Sequence, residues 1–86
     1  MTVLGCQSWF LRKFDAAQRM NRWYAVRIQP TLLDPVAVIC SWGSGVTAWE
    51  QSKIMPMASW EQARTAADNI VKSKIKRGYW VVSEYT

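Results

Sequence analysis

Trp42-Gly43-Ser44-Gly45 is the stretch of this 86-residue chain with the most chemistry in it. An indole at the mouth of a glycine-bearing turn can stack on a sugar or a base. The same ring can also pack into a core, as aromatic side chains usually do. A basic run follows later, Lys72, Lys74, Lys76 and Arg77, with no acid among them. Such a run contacts phosphates, or it solvates the negative end of a helix. Lys53 and Arg22 or Arg27 extend the basic set if the fold brings them to the same side. The candidate nucleic-acid contacts are therefore Trp42, Gly43, Ser44, Lys53, Arg22, Lys72 and Lys76.

Catalysis has little to work with. The chain has no histidine, which removes the commonest general base and any Cys2His2 zinc site. Ser44 therefore lacks the base that would make it a nucleophile. Gly43-Ser44-Gly45 is too short to cradle phosphates, and no Lys-Ser or Lys-Thr pair follows it. Glu50 and Glu61 are not visibly paired for acid–base work. The expectation is a non-catalytic protein with no cofactor and no metal.

Eleven Lys and Arg oppose six Asp and Glu, for a formal charge of +5. That surplus suits an anionic partner, and it also suits a merely soluble basic domain. There are six Trp, three Tyr and two Phe, which help a small core and also supply surface binding residues. Cys40 sits in an apolar run and reads as buried, Cys6 is near the N-terminus, and no disulfide between them is expected. No apolar run approaches the ~20 residues of a membrane span. Val3-Leu4-Gly5-Cys6 resembles a lipoprotein box but lacks the basic and apolar regions that precede one. A cytoplasmic location and no membrane partner are the expectations.

The elements that must position these residues follow from periodicity. Residues 1–8 read as a flexible arm, and 9–86 as a single domain. Residues 8–14 alternate as a strand, with Trp9, Leu11 and Lys13 on one face. A loop is expected over residues 15–21. Arg22 to Gln29 is the clearest strand, with Tyr24, Val26 and Ile28 toward the core. Pro30 stops it, and a turn runs to Pro35. Val36 to Trp42 is apolar on both faces and belongs inside the sheet, and the glycines after it supply backbone freedom for a turn. Thr47 to Ile54 reads as a further strand, with Trp49, Gln51 and Lys53 on one face, and Pro56 is expected to end it. Ser59-Trp60-Glu61-Gln62 is a capping box in which Gln62 is expected to reach the Ser59 amide. The helix it opens carries a buried stripe of Trp60, Ala63, Ala67, Ile70, Val71 and Ile75 and stops at Gly78. Tyr79 to Val82 reads as a last short strand. The fold class is α+β: an antiparallel β-sheet with one long helix packed on one face.

Taken in order, several of these segments resemble the WGR domain family. They are Asp15-Ala16-Ala17, Asn21-Arg22-Trp23-Tyr24, Gln29-Pro30-Thr31-Leu32, Trp42-Gly43, Gln51-Ser52-Lys53, the run from Ser59 to Ala67, and Lys76-Arg77-Gly78-Tyr79. The resemblance spans roughly residues 9–80. It implies a module of the kind found in poly(ADP-ribose) polymerases, where it helps recognise DNA strand breaks and relays them to a separate catalytic domain. Bacterial members also occur alone or attached to other modules, and this chain resembles the stand-alone type. In the family the signature Trp packs against nucleic acid and the signature Arg supports that contact. Trp42-Gly43 falls at the signature position, but Ser44 stands where the Arg would be. A serine cannot form the bidentate phosphate fork of an arginine. Glu50 is expected to add a negative charge near that point.

Two functions follow. One is a module binding DNA, weakly and with strong salt dependence, through Trp42 and the basic residues. The other is a protein-interaction or accessory module, in which the surplus tryptophans mark a patch for a partner protein. The +5 charge favours the first, and the missing signature Arg favours the second.

Overall fold

In the computed structural model the described residues are 7–17, 20–45 and 50–85. Five strands and one helix follow in the order β1 (Gln7–Asp15), β2 (Met20–Gln29), β3 (Ala37–Ser44), β4 (Glu50–Pro56), α1 (Trp60–Lys76) and β5 (Trp80–Tyr85). The strands form one antiparallel sheet in the order β4-β3-β2-β1-β5. The chain meanders from β1 to β4, and α1 then carries it back to pair β5 with β1 at the far edge. This is an α+β fold with α1 against one face of the sheet.

Register decides which side chains meet the helix. Leu11, Tyr24, Trp42 and Gln51 lie in one cross-strand row, and Trp9, Val26, Cys40 and Lys53 in the next. Alternation puts both rows on the helix side. Leu11, Val26, Ile28, Val36, Val38 and Cys40 are fully buried there, against Ala63, Ala67 and Val71 of α1. Small alanines let the helix approach the branched side chains of β2 and β3 closely. No buried side-chain nitrogen or oxygen among the described residues lacks a hydrogen-bond partner.

The helix starts where its cap says it should. The Ser59 hydroxyl accepts the Gln62 N–H at 3.1 Å, in place of the carbonyl that a first-turn amide lacks. The Gln62 carboxamide oxygen accepts from the Ala58 N–H at 3.2 Å, one residue before the amide expected from the capping box. Among the described residues no helix is long and apolar enough to cross a membrane, and no group of three or more potential metal ligands occurs.

Several boundaries differ from the sequence expectation. β1 begins at Gln7, so Gln7 and Ser8 belong to the sheet rather than to an arm, and residues 1–6 lie outside the described residues. β2 begins at Met20, inside the expected loop, because Asp15 pairs with Met20 and closes a tight hairpin. Gly43 and Ser44 continue β3 rather than opening a turn, since both still pair with β2. The expected strand from Thr47 is described only from Glu50, and Pro56 does not end it but pairs with Ala37 as its last residue, which an edge strand tolerates. Trp49 lies outside the described residues. Ile75 is half exposed and does not belong to the buried stripe.

Ala67 has no exposed surface and sits in the centre of the core. Ala67→Asp should bury an unpaired carboxylate and cost about 3 kcal/mol or more. Circular dichroism melts of parent and variant measure it, and equal stability would contradict this placement of α1.

Candidate nucleic-acid interface

Beyond the buried core, the helix side of the sheet opens into a cleft of about 870 Å³. Its walls come from four places: Arg22 and Tyr24 on β2, Trp42 and Ser44 on β3, Lys53 and Met55 on β4, and Ile70, Lys74 and Tyr79 at the end of α1. Three cations therefore arrive from three separate elements. No carboxylate is among the described residues that line it.

The helix terminus builds one wall. Gly78 has φ +99°, a left-handed conformation that a side chain would strain. This lets the Gly78 N–H reach the Ile75 carbonyl and the Tyr79 N–H reach the Lys74 carbonyl, each at 3.0 Å. The pair of bonds is a Schellman stop, and it folds Tyr79 back under the last turn. Tyr79 meets Tyr24 edge to face at 6.4 Å, and Tyr24 stacks on Trp42 at 5.8 Å with the rings 11° apart. The Lys74 ammonium lies 4.4 Å from the Tyr24 ring centre and 5.8 Å from that of Tyr79. The Lys13 ammonium also approaches the Tyr79 ring, at 5.9 Å. Ring quadrupoles thus hold cations at the mouth of the cleft.

Burial shifts both polar groups of this cluster. Desolvation, with help from the Cys40 thiol beside it, pushes the Tyr24 phenol well above its ordinary value, so the ring stays neutral. Desolvation, and then the Arg77 guanidinium, pulls the Lys74 ammonium below the usual lysine value.

Of the residues singled out in the sequence, Trp42, Gly43, Ser44, Lys53 and Arg22 all line this cleft. Lys72 and Lys76 do not. Both are exposed, and the Lys72 ammonium pairs with Asp68 at 2.9 Å one turn back. Glu50, expected beside Ser44, pairs with Gly43 on the opposite face and borders a different groove. Tyr24, Lys74 and Tyr79 were not anticipated as a unit. Helical spacing did hold the signal for Lys74, which continues the line of Ala63, Ala67 and Ile70. The glycine at 45 provides room rather than freedom. It has no positive φ, and a Cβ there would come within 2.7 Å of the Asn21 carboxamide, which Arg12 holds at 2.8 Å.

The Lys74 ammonium should titrate with a midpoint below 10.5 when followed by the NMR shift of its side-chain carbon. Its protonated form is disfavoured in the folded state, so the unfolded chain binds the extra proton. Stability should therefore rise with pH from the folded midpoint toward 10.5. A midpoint at or above 10.5 would contradict the burial described here.

No curated protein and no solved structure matches the chain. A family model does match, that of the WGR domain, over residues 7–86. The match begins with the first residue of β1 and takes in every strand and the helix. Its members are small, non-catalytic modules. The chain belongs to the WGR domain family.

Proposed function

We propose that this WGR domain is a non-catalytic DNA-binding module whose contact surface is the cleft between α1 and β3–β4. The observation that carries the reading is the convergence of Arg22, Lys53 and Lys74 on one cleft whose described lining holds no acid. Arg22 and Lys53 are exposed and contact phosphates directly. Lys74 is half-buried and presents a fixed charge over Tyr24. Trp42 lines the cleft with Tyr24 stacked against it, and its partly exposed ring is the stacking surface in this reading. Ser44 replaces the family's arginine and donates its hydroxyl to the Asn21 carbonyl at 3.4 Å. Binding then rests on charge more than on specific bonds, and it is weak at physiological salt.

A second reading, a protein-interaction module, draws on Leu32 and Leu33. Both are fully exposed at the tip of a loop that Thr31 and Asp34 pin with four hydrogen bonds.

Fluorescence anisotropy with nicked and intact duplexes across a salt series tests the first reading. Three neutralised phosphates correspond to a log–log slope of about −2.7. Arg22→Ala and Lys53→Ala should each flatten the slope by about 0.9. Lys72→Ala with Lys76→Ala should leave it unchanged. Trp42→Ala should weaken binding with little change in slope, and Ser44→Arg should strengthen it. No binding at low salt, by parent and Ser44→Arg alike, would overturn the reading and leave the protein-interaction module.

A further inference from the structure

We infer that the helix-free face of the sheet is a second binding surface, separate from the cleft, and that it takes unpaired bases of single-stranded nucleic acid. The face carries five aromatic residues: Phe10 and Phe14 on β1, Trp23 on β2, and Trp80 and Tyr85 on β5. In register, Arg12 lies between Trp23 on one side and Trp80 on the other. This row thus alternates indole, guanidinium and indole across three neighbouring strands. Phe10 is one step along and stacks on Trp23 with ring centres 6.0 Å apart. Arg27 lies a further step along, on the same face as Trp23.

A bulge makes the platform. Trp80 and Tyr85 are five positions apart, so in a regular strand they would point to opposite faces. The register of β5 on β1 shifts between Phe10 and Leu11, and Val82 is the extra residue. The shift brings Trp80, Ser83 and Tyr85 to the side of Arg12, Phe10 and Ser8. Both rings remain open, with Trp80 48% and Tyr85 65% exposed.

Charge and layout favour a nucleic acid over an apolar partner. A protein-docking patch is a contiguous apolar area. Here the rings are interleaved with Arg12 and Arg27, which is the pairing that stacked bases and their phosphates require. Toward β3 the floor is small, with Ala25 and Ser41 bordering a shallow groove of about 340 Å³. Glu50 is the one acid among the described residues that border that groove, and it stands on β4 in the row of Trp23, with Gly43 between them. Its carboxylate would repel phosphates at the β4 end of that row, leaving β2, β1 and β5 for a strand.

The test uses the full chain and a labelled oligothymidylate of about a dozen nucleotides, within the range of about 4–16 that a single oligonucleotide-binding fold spans. Two cations predict a slope of about −1.4 on a single strand, shallower than on the duplex. Trp80→Ala with Tyr85→Ala should weaken binding at least about fivefold without changing the slope, since stacking releases no counterion. Arg27→Ala should flatten the slope by about 0.7, and Glu50→Gln should strengthen binding. Arg22→Ala and Lys53→Ala should leave oligothymidylate binding intact while weakening the duplex. Trp80, Tyr85 and Arg27 are exposed, so these variants keep the fold, which a thermal melt verifies. Loss in the cleft variants alone would overturn the inference by placing the strand in the cleft. Absence of parent binding would overturn it too. So would face variants that change only the sedimenting mass, which would mark the face as a contact between copies of the chain.

Discussion

A single helix cannot cover a five-stranded sheet, and the functional surfaces of this domain follow from that mismatch. Five strands spaced about 4.8 Å apart make a sheet roughly 20–24 Å across, whereas a helix with its side chains is about 10–12 Å wide. At 17 residues α1 is about 26 Å long, but its width covers only about half of the sheet. It packs on β2 and β3 and reaches β5. The helix side of β4 is left open, and the far face of the sheet has no helix at all. The cleft lies where α1 borders the first face without covering it, and the aromatic platform is on the second.

The last turn of α1 then determines what the open region contains. A helix that continued past Lys76 would carry its side chains away from the sheet. Gly78 stops it and turns Tyr79 inward, which closes one wall and gives Lys74 two rings to lie against. Burial disfavours the charged form of the ammonium and pulls it below the usual lysine value, and the ring faces offset part of that cost. A half-buried lysine held in this way is a stronger attractor for a phosphate than a solvated one, because less water screens it. Lys72 shows the contrast: it is on the same helix, is exposed, and is already paired with Asp68.

Much of this could be read from residue patterns. The alternation of Tyr24, Val26 and Ile28, the cap at Ser59 and the stop at Gly78 located β2 and both helix ends, because each signal is local. The family match agrees with the resemblance drawn from Trp42-Gly43 and its neighbouring segments. Residue types alone could not show which lysines share a surface. That depends on the rotation of α1 against the sheet, and a shift of one position along the helix separates Lys74 in the cleft from exposed Ile75. Glu50 was misplaced for a similar reason. It is close to Ser44 in sequence, but strand alternation across the β3–β4 pair sends its side chain to the other face. The bulge at Val82 leaves no mark in the sequence, because it arises from pairing with β1.

The most direct measurement of the central claim is a titration of the isotope-labelled chain with a nicked duplex, followed by NMR. The indole N–H of Trp42 and the backbone amides of Arg22, Gly43, Ser44 and Lys53 should shift together and saturate at one ratio, with the Lys74 side-chain signal moving alongside them. Shifts confined to the outer side of α1 around Lys72 and Lys76, with Trp42 and Lys53 unmoved, would contradict the account.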